Sequence, residues 1–324
     1  VNLRDVLTGR IHRLPSHQGE TIAPPVNRLV DAFLLARRAA GRTAATIEWY
    51  QDRLARFVAF VENAPAGEIA ASDVRRFLVA VKAGTAGREN ADSYVEGHRK
   101  ALAAMFTWAI AEGVVERSVM KAVPRFRCER RLPTVLSNAD VEALLTAQPR
   151  TRAGIRNATM FLLLFDTGIR VGELAATTLA DLDLERGELR VRGKSRRERI
   201  VPLSSSVRAA LSVYLLHVRP AELFTMTRAL FVERDGAPIT ETAVRQVLRR
   251  AKIRAGVAAR VHPHAFRSSF ATHYLLNGGD PATAQRIMGI RSAQVFSGYV
   301  NVALSDVHAA HAKASPVERM RRGA

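Results

Sequence analysis

The spacing of apolar residues changes character once along this 324-residue chain, and that change constrains the fold more than any other feature. From Val26 to about Val123 the apolar positions recur only at helical spacing. Ile47, Tyr50, Leu54, Phe57, Val58 and Val61 make one stripe. A helix opened by Ser72 or Asp73 carries Val74, Phe77, Leu78 and Val81. A third segment, with Tyr94, Leu102, Met105, Phe106, Ala109 and Ile110, stops at Gly113. No alternation of strand period interrupts them, so residues 25–123 are expected to form a helical domain of four or five helices. Residues 124–136 (PRFRCERRLPTVL) are aperiodic, with two prolines around four arginines, and read as a linker. Residues 137–312 form a mixed domain. Ser137 and Asp140 have the spacing of a helix cap, and helices are expected at 138–147, 153–166, 205–217, 240–255, 264–277 and 281–289. Strands at 187–192 and 197–202 would pair as a hairpin with the basic tip Gly193-Lys194-Ser195-Arg196, and a further short strand fits Ala229 to Val232. The expected fold is mainly α with a small antiparallel β-sheet in the C-terminal domain. Residues 1–24 read as a loose arm, and 313–324 as a basic tail.

The charge balance selects a partner. Forty-nine basic residues against 30 acidic ones leave a net charge of +19, a field that attracts nucleic acid or an anionic membrane. Only six of the basic residues are lysine. Arginine forks match phosphate oxygens in pairs, although a GC-rich genome would raise arginine equally. The longest strictly apolar run, Met160 to Phe165, is too short to cross a bilayer, and the N-terminal VNLRDVLTGRIHRLP has no apolar core of signal-peptide length. One cysteine, Cys128, allows neither an intramolecular disulfide nor a multi-cysteine zinc site. A cytoplasmic protein that works on nucleic acid is therefore expected, with no membrane partner.

Four places in the second half can carry chemistry. In Asp166-Thr-Gly-Ile-Arg170-Val-Gly-Glu173-Leu174 one helix ends at Gly168 and another starts near Arg170, so Arg170 stands at an exposed helix start. Read alone, it is a capped junction with a surface arginine. Lys194 lies at the hairpin tip; a lysine can give up a proton near neutral pH where an arginine cannot. His264 and Arg267 share one face of a helix that begins after Pro263, and both can reach one phosphate. A metal site through His262, His264 and His273 lacks a cysteine or a suitably spaced acid to complete it. Tyr299, one of five tyrosines, lies in a short amphipathic segment beside Gly298. Asp181, Asp183 and Glu185 share one short loop and read as solvated, not as a metal cluster. Gly187 to Ser195 misses the P-loop spacing by one residue and lies in a hairpin, so neither ATP nor any other cofactor is expected. The basic face of 240–256, with Arg245, Arg249, Arg250, Lys252 and Arg254, is either a DNA-facing helix or a solvated one.

In order and spacing, DTGIRVGEL, GKSRRERIVPL, HPHAFRSSFATHYL and MGIRSAQVFSGYV resemble the tyrosine recombinase (phage integrase) family, over about residues 26 to 312. The resemblance implies a two-domain DNA clamp: a helical core-binding domain and a catalytic domain. By matching position, it makes Arg170 and Arg267 paired phosphate clamps, Lys194 the hairpin lysine, His264 the first histidine, Glu173 the buttressing acid and Tyr299 the nucleophile. It implies strand cleavage and rejoining through a 3′-phosphotyrosine without metal or ATP, on double-stranded DNA sites. Four protomers would act on the synapsed DNA, with accessory factors setting direction in some systems. Three positions depart from the family pattern. Ile290 stands where histidine or tryptophan is usual, Ser268 where histidine follows the second arginine, and VFSG lacks the usual threonine pair. Isoleucine cannot donate a hydrogen bond to phosphate, and Ile290 supports an alternative reading, a non-catalytic DNA-binding relative of a recombinase. A topoisomerase-like relative and a metal-dependent nuclease are further readings.

Overall fold

The computed structural model describes residues 23–85, 88–126, 133–193, 198–219, 227–290, 296, 298 and 311. The chain divides into two compact units, residues 1–130 and 131–324.

The described part of the first unit is helical. Helices α1 (Val26–Ala39), α2 (Ala44–Phe60), α3 (Ala71–Ala83) and α4 (Asp92–Ala111) precede a 3₁₀ turn at Val119–Ala122. The apolar stripes close on one core containing Phe33, Leu54, Phe57, Val74, Leu102, Met105 and Phe106. Ile110, assigned to the α4 stripe by spacing, is instead exposed, because it falls at the edge of the buried arc. A bidentate pair fixes the C-terminal side of this unit. Arg99 donates from Nε and Nη2 to the Glu96 carboxylate at 2.7 and 2.8 Å, and the Phe126 amide donates to the same carboxylate at 3.2 Å. Burial pushes the Glu96 carboxyl up, but these partners outweigh it and hold it below the usual range.

The second unit is built around helix α6. It comprises α5 (Asn138–Thr146), α6 (Arg152–Thr167), α7 (Val171–Ala176), β1 (Leu182–Asp183), β2 (Glu188–Arg192), β3 (Glu198–Pro202), α8 (Ser205–Val213), α9 (Glu241–Ala255), α10 (Pro263–Leu276) and α11 (Pro281–Met288). The strands form one antiparallel sheet in the order β1-β2-β3, with Val191 opposite Arg199 and Arg192 opposite Glu198. Helices α6 and α10 share a core of Met160, Phe161, Leu164, Phe266 and Ala271, all at or below 1 % exposure. Leu136 is buried in this same core. Its amide donates to Ser269 Oγ at 2.7 Å, and its carbonyl lies 2.8 Å from His273 Nε2. His273 is thereby tied to the backbone.

Two expected elements differ. Residues 229–232 form no strand; Ala229 bridges Thr178 and Val232 bridges Pro238 as isolated pairs. Pairing stays local: the Glu233 amide donates to the Ala237 carbonyl at 2.7 Å and the Ile239 amide to the Phe231 carbonyl at 3.1 Å, on either side of Pro238. The helix expected through 217 leaves α geometry after Val213 and continues as a π turn over Tyr214–Val218. There the buried Tyr214 hydroxyl donates to the Leu230 carbonyl at 3.2 Å. The acidic loop also differs from expectation. Asp183 and Glu185 are exposed, but Asp181 is buried. It caps its own turn by accepting from the Thr178 amide at 3.0 Å and lies 3.3 Å from Arg192.

Candidate active site

The site begins with a chain reversal. Helix α6 ends at Gly168 in the left-handed region, φ 59°. A side chain there would meet the Phe270 ring, since an added Cβ would lie 2.5 Å from it. Two residues later Arg170 caps α7. Its amide donates to Glu173 Oε2 at 2.9 Å, and its Nη1 donates to Glu173 Oε1 at 2.9 Å. The Arg170 side chain keeps 49 % of its surface in solvent, whereas that of Glu173 keeps 6 %.

Arg267 reaches the same place from α10. It is buried at 5 % exposure, donating from Nη1 to the Gly168 carbonyl and from Nη2 to the Met288 carbonyl at 2.8 Å. One guanidinium therefore ties the turn that presents Arg170 to the C-terminal end of α11. That end is the negative pole of the helix, where a cation is favoured. Helical spacing places Arg267 on one face with His264 but carries no sign of this burial.

His264 lies one turn before Arg267. His262 caps this helix, its Nδ1 accepting from the Ala265 amide at 3.2 Å, and Pro263 occupies the first helical position. His264 is solvent-exposed as a residue, yet neighbouring protein atoms strip part of the water from its ring. That desolvation, followed by the Arg267 and Arg170 charges, holds its pKa below the ordinary histidine value. His262, its stacked neighbour at 6.4 Å between ring centroids, is lowered by burial and then by Arg260 and His264. Arg170, His264 and Arg267, from segments almost a hundred residues apart, therefore act on one another electrostatically.

Arg199 on β3 completes the cluster and had no role from sequence beyond its place in the GKSRRERIVPL motif. It donates from Nη1 and Nη2 to the Glu173 carboxylate at 3.1 and 2.8 Å, and from Nε to the Ile287 carbonyl at 2.7 Å. Burial pushes the Glu173 carboxyl up, but the Arg199 fork, the Arg170 amide and both charges more than offset it; the group is held ionised, below the usual range.

The departures from the family pattern have local explanations. Ile290 packs against the apolar core of the second unit. Ser268 is fully buried, and its hydroxyl donates to the His264 carbonyl at 3.0 Å. Phe296, three residues before Tyr299, is a buried member of the same core, and Gly298 is exposed. Lys194 and Tyr299 lie outside the described residues.

Arg245, Arg249 and Arg250 on α9 are exposed. Arg245 pairs with Glu241 at 2.6 Å, and an added Cβ on Gly172 of α7 would lie 2.5 Å from Glu241. The start of α9 therefore abuts the helix that Arg170 caps. Lys252 and Arg254 instead bond protein acceptors, the Ala258 carbonyl and Gln148 Oε1, both at 3.3 Å. Among the described residues no group of three metal-ligating side chains occurs, and no helix is long and apolar enough to cross a membrane.

A buried carboxylate holding an exposed arginine beside a second arginine and a histidine is an arrangement suited to phosphodiester chemistry. The phage integrase family model matches residues 134–305, and the chain belongs to this family, the tyrosine recombinases. It is 31% identical to tyrosine recombinase XerD of Mycobacterium tuberculosis (strain H37Rv) over 312 residues, covering 91% of this chain and 99% of that one. It is 30% identical to tyrosine recombinase XerC of Roseiflexus castenholzii over 303 residues, covering 90% and 94%. Among solved structures, its fold is similar to that of XerH site-specific recombinase bound to a palindromic difH substrate, at TM-score 0.68 and 20% identity over 89% of this chain and 84% of that one. It is also similar to a lambda integrase dimer bound to a COC′ core site, at TM-score 0.68 and 18% identity over 85% and 77%.

Proposed function

We propose that this protein is a site-specific DNA recombinase that cuts and rejoins strands through Tyr299. The observation that carries the reading is the convergence of Arg170, His264 and Arg267 around the Gly168 turn. In this reading the Tyr299 phenolic oxygen attacks the scissile phosphorus. The bond to the 5′ oxygen breaks, and a 3′-phosphotyrosine forms. The tyrosine proton passes to His264, and Lys194 supplies a proton to the departing 5′ oxygen. A 5′ hydroxyl from a second strand reverses these steps. One phosphoester replaces another, so the exchange needs no ATP.

Charge accumulates on the non-bridging oxygens in the transition state. Arg170 and Arg267 supply the positive charge that a metal would otherwise provide. A free tyrosine has a pKa near 10, so ionising it at neutral pH costs about 4 kcal/mol. The guanidinium charges and a neutral His264 offset part of that. The exposed arginines of α9 add backbone contacts to double-stranded DNA. Strand exchange calls for four protomers on paired sites, in the cytoplasm, with accessory factors where direction must be set.

A nicked site that traps the cleaved strand tests the reading in the presence of EDTA. A denaturation-resistant protein–DNA adduct is expected, and joining of two sites separates recombinase from topoisomerase. No adduct on any cognate site favours the non-catalytic DNA-binding alternative, for which Ile290 is the specific observation. An adduct formed only with added magnesium contradicts the metal-free mechanism.

The state of His264 sets the pH dependence. Its neutral form accepts the proton, and its pKa lies below the ordinary value of 6.5. The acid limb of single-turnover cleavage is therefore expected to be centred below that value. His264→Asn should slow the reaction and remove this acid limb. An acid limb centred above 6.5, or one that survives in His264→Asn, assigns the titration to another group.

A further inference from the structure

We propose that Arg199 is a positioning residue for cleavage: it occupies the buried side of the Glu173 carboxylate so that the Arg170 guanidinium stays turned outward to the scissile phosphate. The inference rests on the recombinase reading and extends it to a residue that touches no substrate.

The argument begins with exposure. Side-chain exposure runs from 6 % at Glu173 through 15 % at Arg199 to 49 % at Arg170. One carboxylate is therefore shared between an inner cation and an outer one. Arg199 takes both oxygens with a fork, at 3.1 and 2.8 Å, whereas the Arg170 side chain takes one, at 2.9 Å. One negative charge between two positive ones leaves one net positive charge, and it sits on the solvent side. Remove Arg199 and the sum at this place is zero. The buried carboxylate then has a single cation to draw upon, and the favourable response is for Arg170 to fold inward and close a second bond.

Arg199 also closes a ring of contacts through the site. Its Nε holds the Ile287 carbonyl, and Arg267 holds the next one, that of Met288. Arg267 returns to the Gly168 carbonyl, two residues before Arg170. Two adjacent carbonyls at the end of α11 thus bind two arginines, one from β3 and one from α10. Gly289 makes room for this. It is in the left-handed region at φ 63°, and an added Cβ would lie 3.0 Å from Arg199 Nη1.

Two measurements on Arg199→Gln test the proposal; glutamine removes the charge but can still donate to Ile287. Single-turnover cleavage should slow by about 10–100-fold, the value of a charge-assisted hydrogen bond, with DNA affinity nearly kept. Adding Glu173→Gln should then restore about tenfold or more, because the carboxylate that captures Arg170 is gone. A merely structural role predicts the reverse, a double variant slower than either single one. The second measurement needs no cleavage: by carbon NMR, the Glu173 carboxyl should titrate at higher pH in Arg199→Gln than in the unaltered protein. An unchanged titration, or a double variant that loses the product of the two single losses, overturns the inference. Absence of an adduct from the unaltered protein overturns the recombinase reading instead, and the titration still decides the place of Arg199. Should Arg199→Gln fail to fold, Arg199→Lys keeps the charge without the fork; a several-fold loss is expected, and unaltered cleavage and titration contradict the proposal.

Discussion

Tyr299→Phe is expected to abolish the covalent protein–DNA adduct while leaving DNA binding intact. Phenylalanine keeps the ring and removes only the attacking oxygen. Cleavage should fall at least about 10,000-fold, or about 5 kcal/mol of transition-state stabilisation. The other four tyrosines are poor substitutes. Tyr214 is 1 % exposed, and Tyr50 and Tyr94 pack against the core of the first unit. The Tyr274 ring packs on Phe270, 5.5 Å between centroids, and leaves no room for a side chain on Gly279. Denaturing electrophoresis of a trapped complex reads the result, and an adduct at the unaltered level would move the nucleophile elsewhere.

Arg267→Ala is expected to have the second largest effect, and on two properties at once. Loss of the guanidinium strands the Gly168 and Met288 carbonyls in a buried place. That should cost about 2–6 kcal/mol of stability, since each of the two unsatisfied buried groups costs about 1–3. Single-turnover cleavage, measured well below the melting transition, should fall about 1000-fold, the upper range for deletion of one donor to a developing oxyanion. Arg267→Lys separates the two effects. A lysine keeps the positive charge but cannot span both carbonyls, so it should recover more stability than activity. Equal recovery of both would assign Arg267 a purely structural part.

Much of the site could be read from sequence because its parts are local signals. Gly168 before Arg170, the Pro263 start before His264, and the serine cap at Ser137 each act within a few residues. Helix boundaries in the second unit follow from such signals to within a residue or two, apart from the π turn at Tyr214–Val218. What sequence did not reveal depends on distant partners. Arg199 reads as one more arginine in a basic hairpin until Glu173, 26 residues away, and the Ile287 carbonyl, 88 away, are brought to it. The burial of Arg267 has the same origin, because its acceptors are backbone carbonyls with no signature in side-chain pattern. Asp181 reads as solvated from its place in one short loop with Asp183 and Glu185, which are exposed; its own turn buries it. The segment at 229–232 has strand composition, but its two bridges go to separate segments, at Thr178 and Pro238, and neither extends into a strand. Leu136, at the edge of an aperiodic stretch, is a core residue because Ser269 and His273 of α10 satisfy its backbone.

The central claim is that guanidinium charge stabilises the reacting phosphate. It is tested most directly by cleavage of a site whose scissile phosphate is a neutral methylphosphonate. Arg170 is the residue to vary, because its side chain is half exposed and its removal leaves the Glu173 carboxylate its bonds from the Arg170 amide and the Arg199 fork. Arg170→Ala should lose about 100–1000-fold on the ordinary phosphodiester. On the methylphosphonate the charge that Arg170 would neutralise is absent, so the variant should cleave at a rate close to that of the unaltered protein. A loss of the same size on both substrates would contradict the claim and make Arg170 a residue of shape rather than of charge.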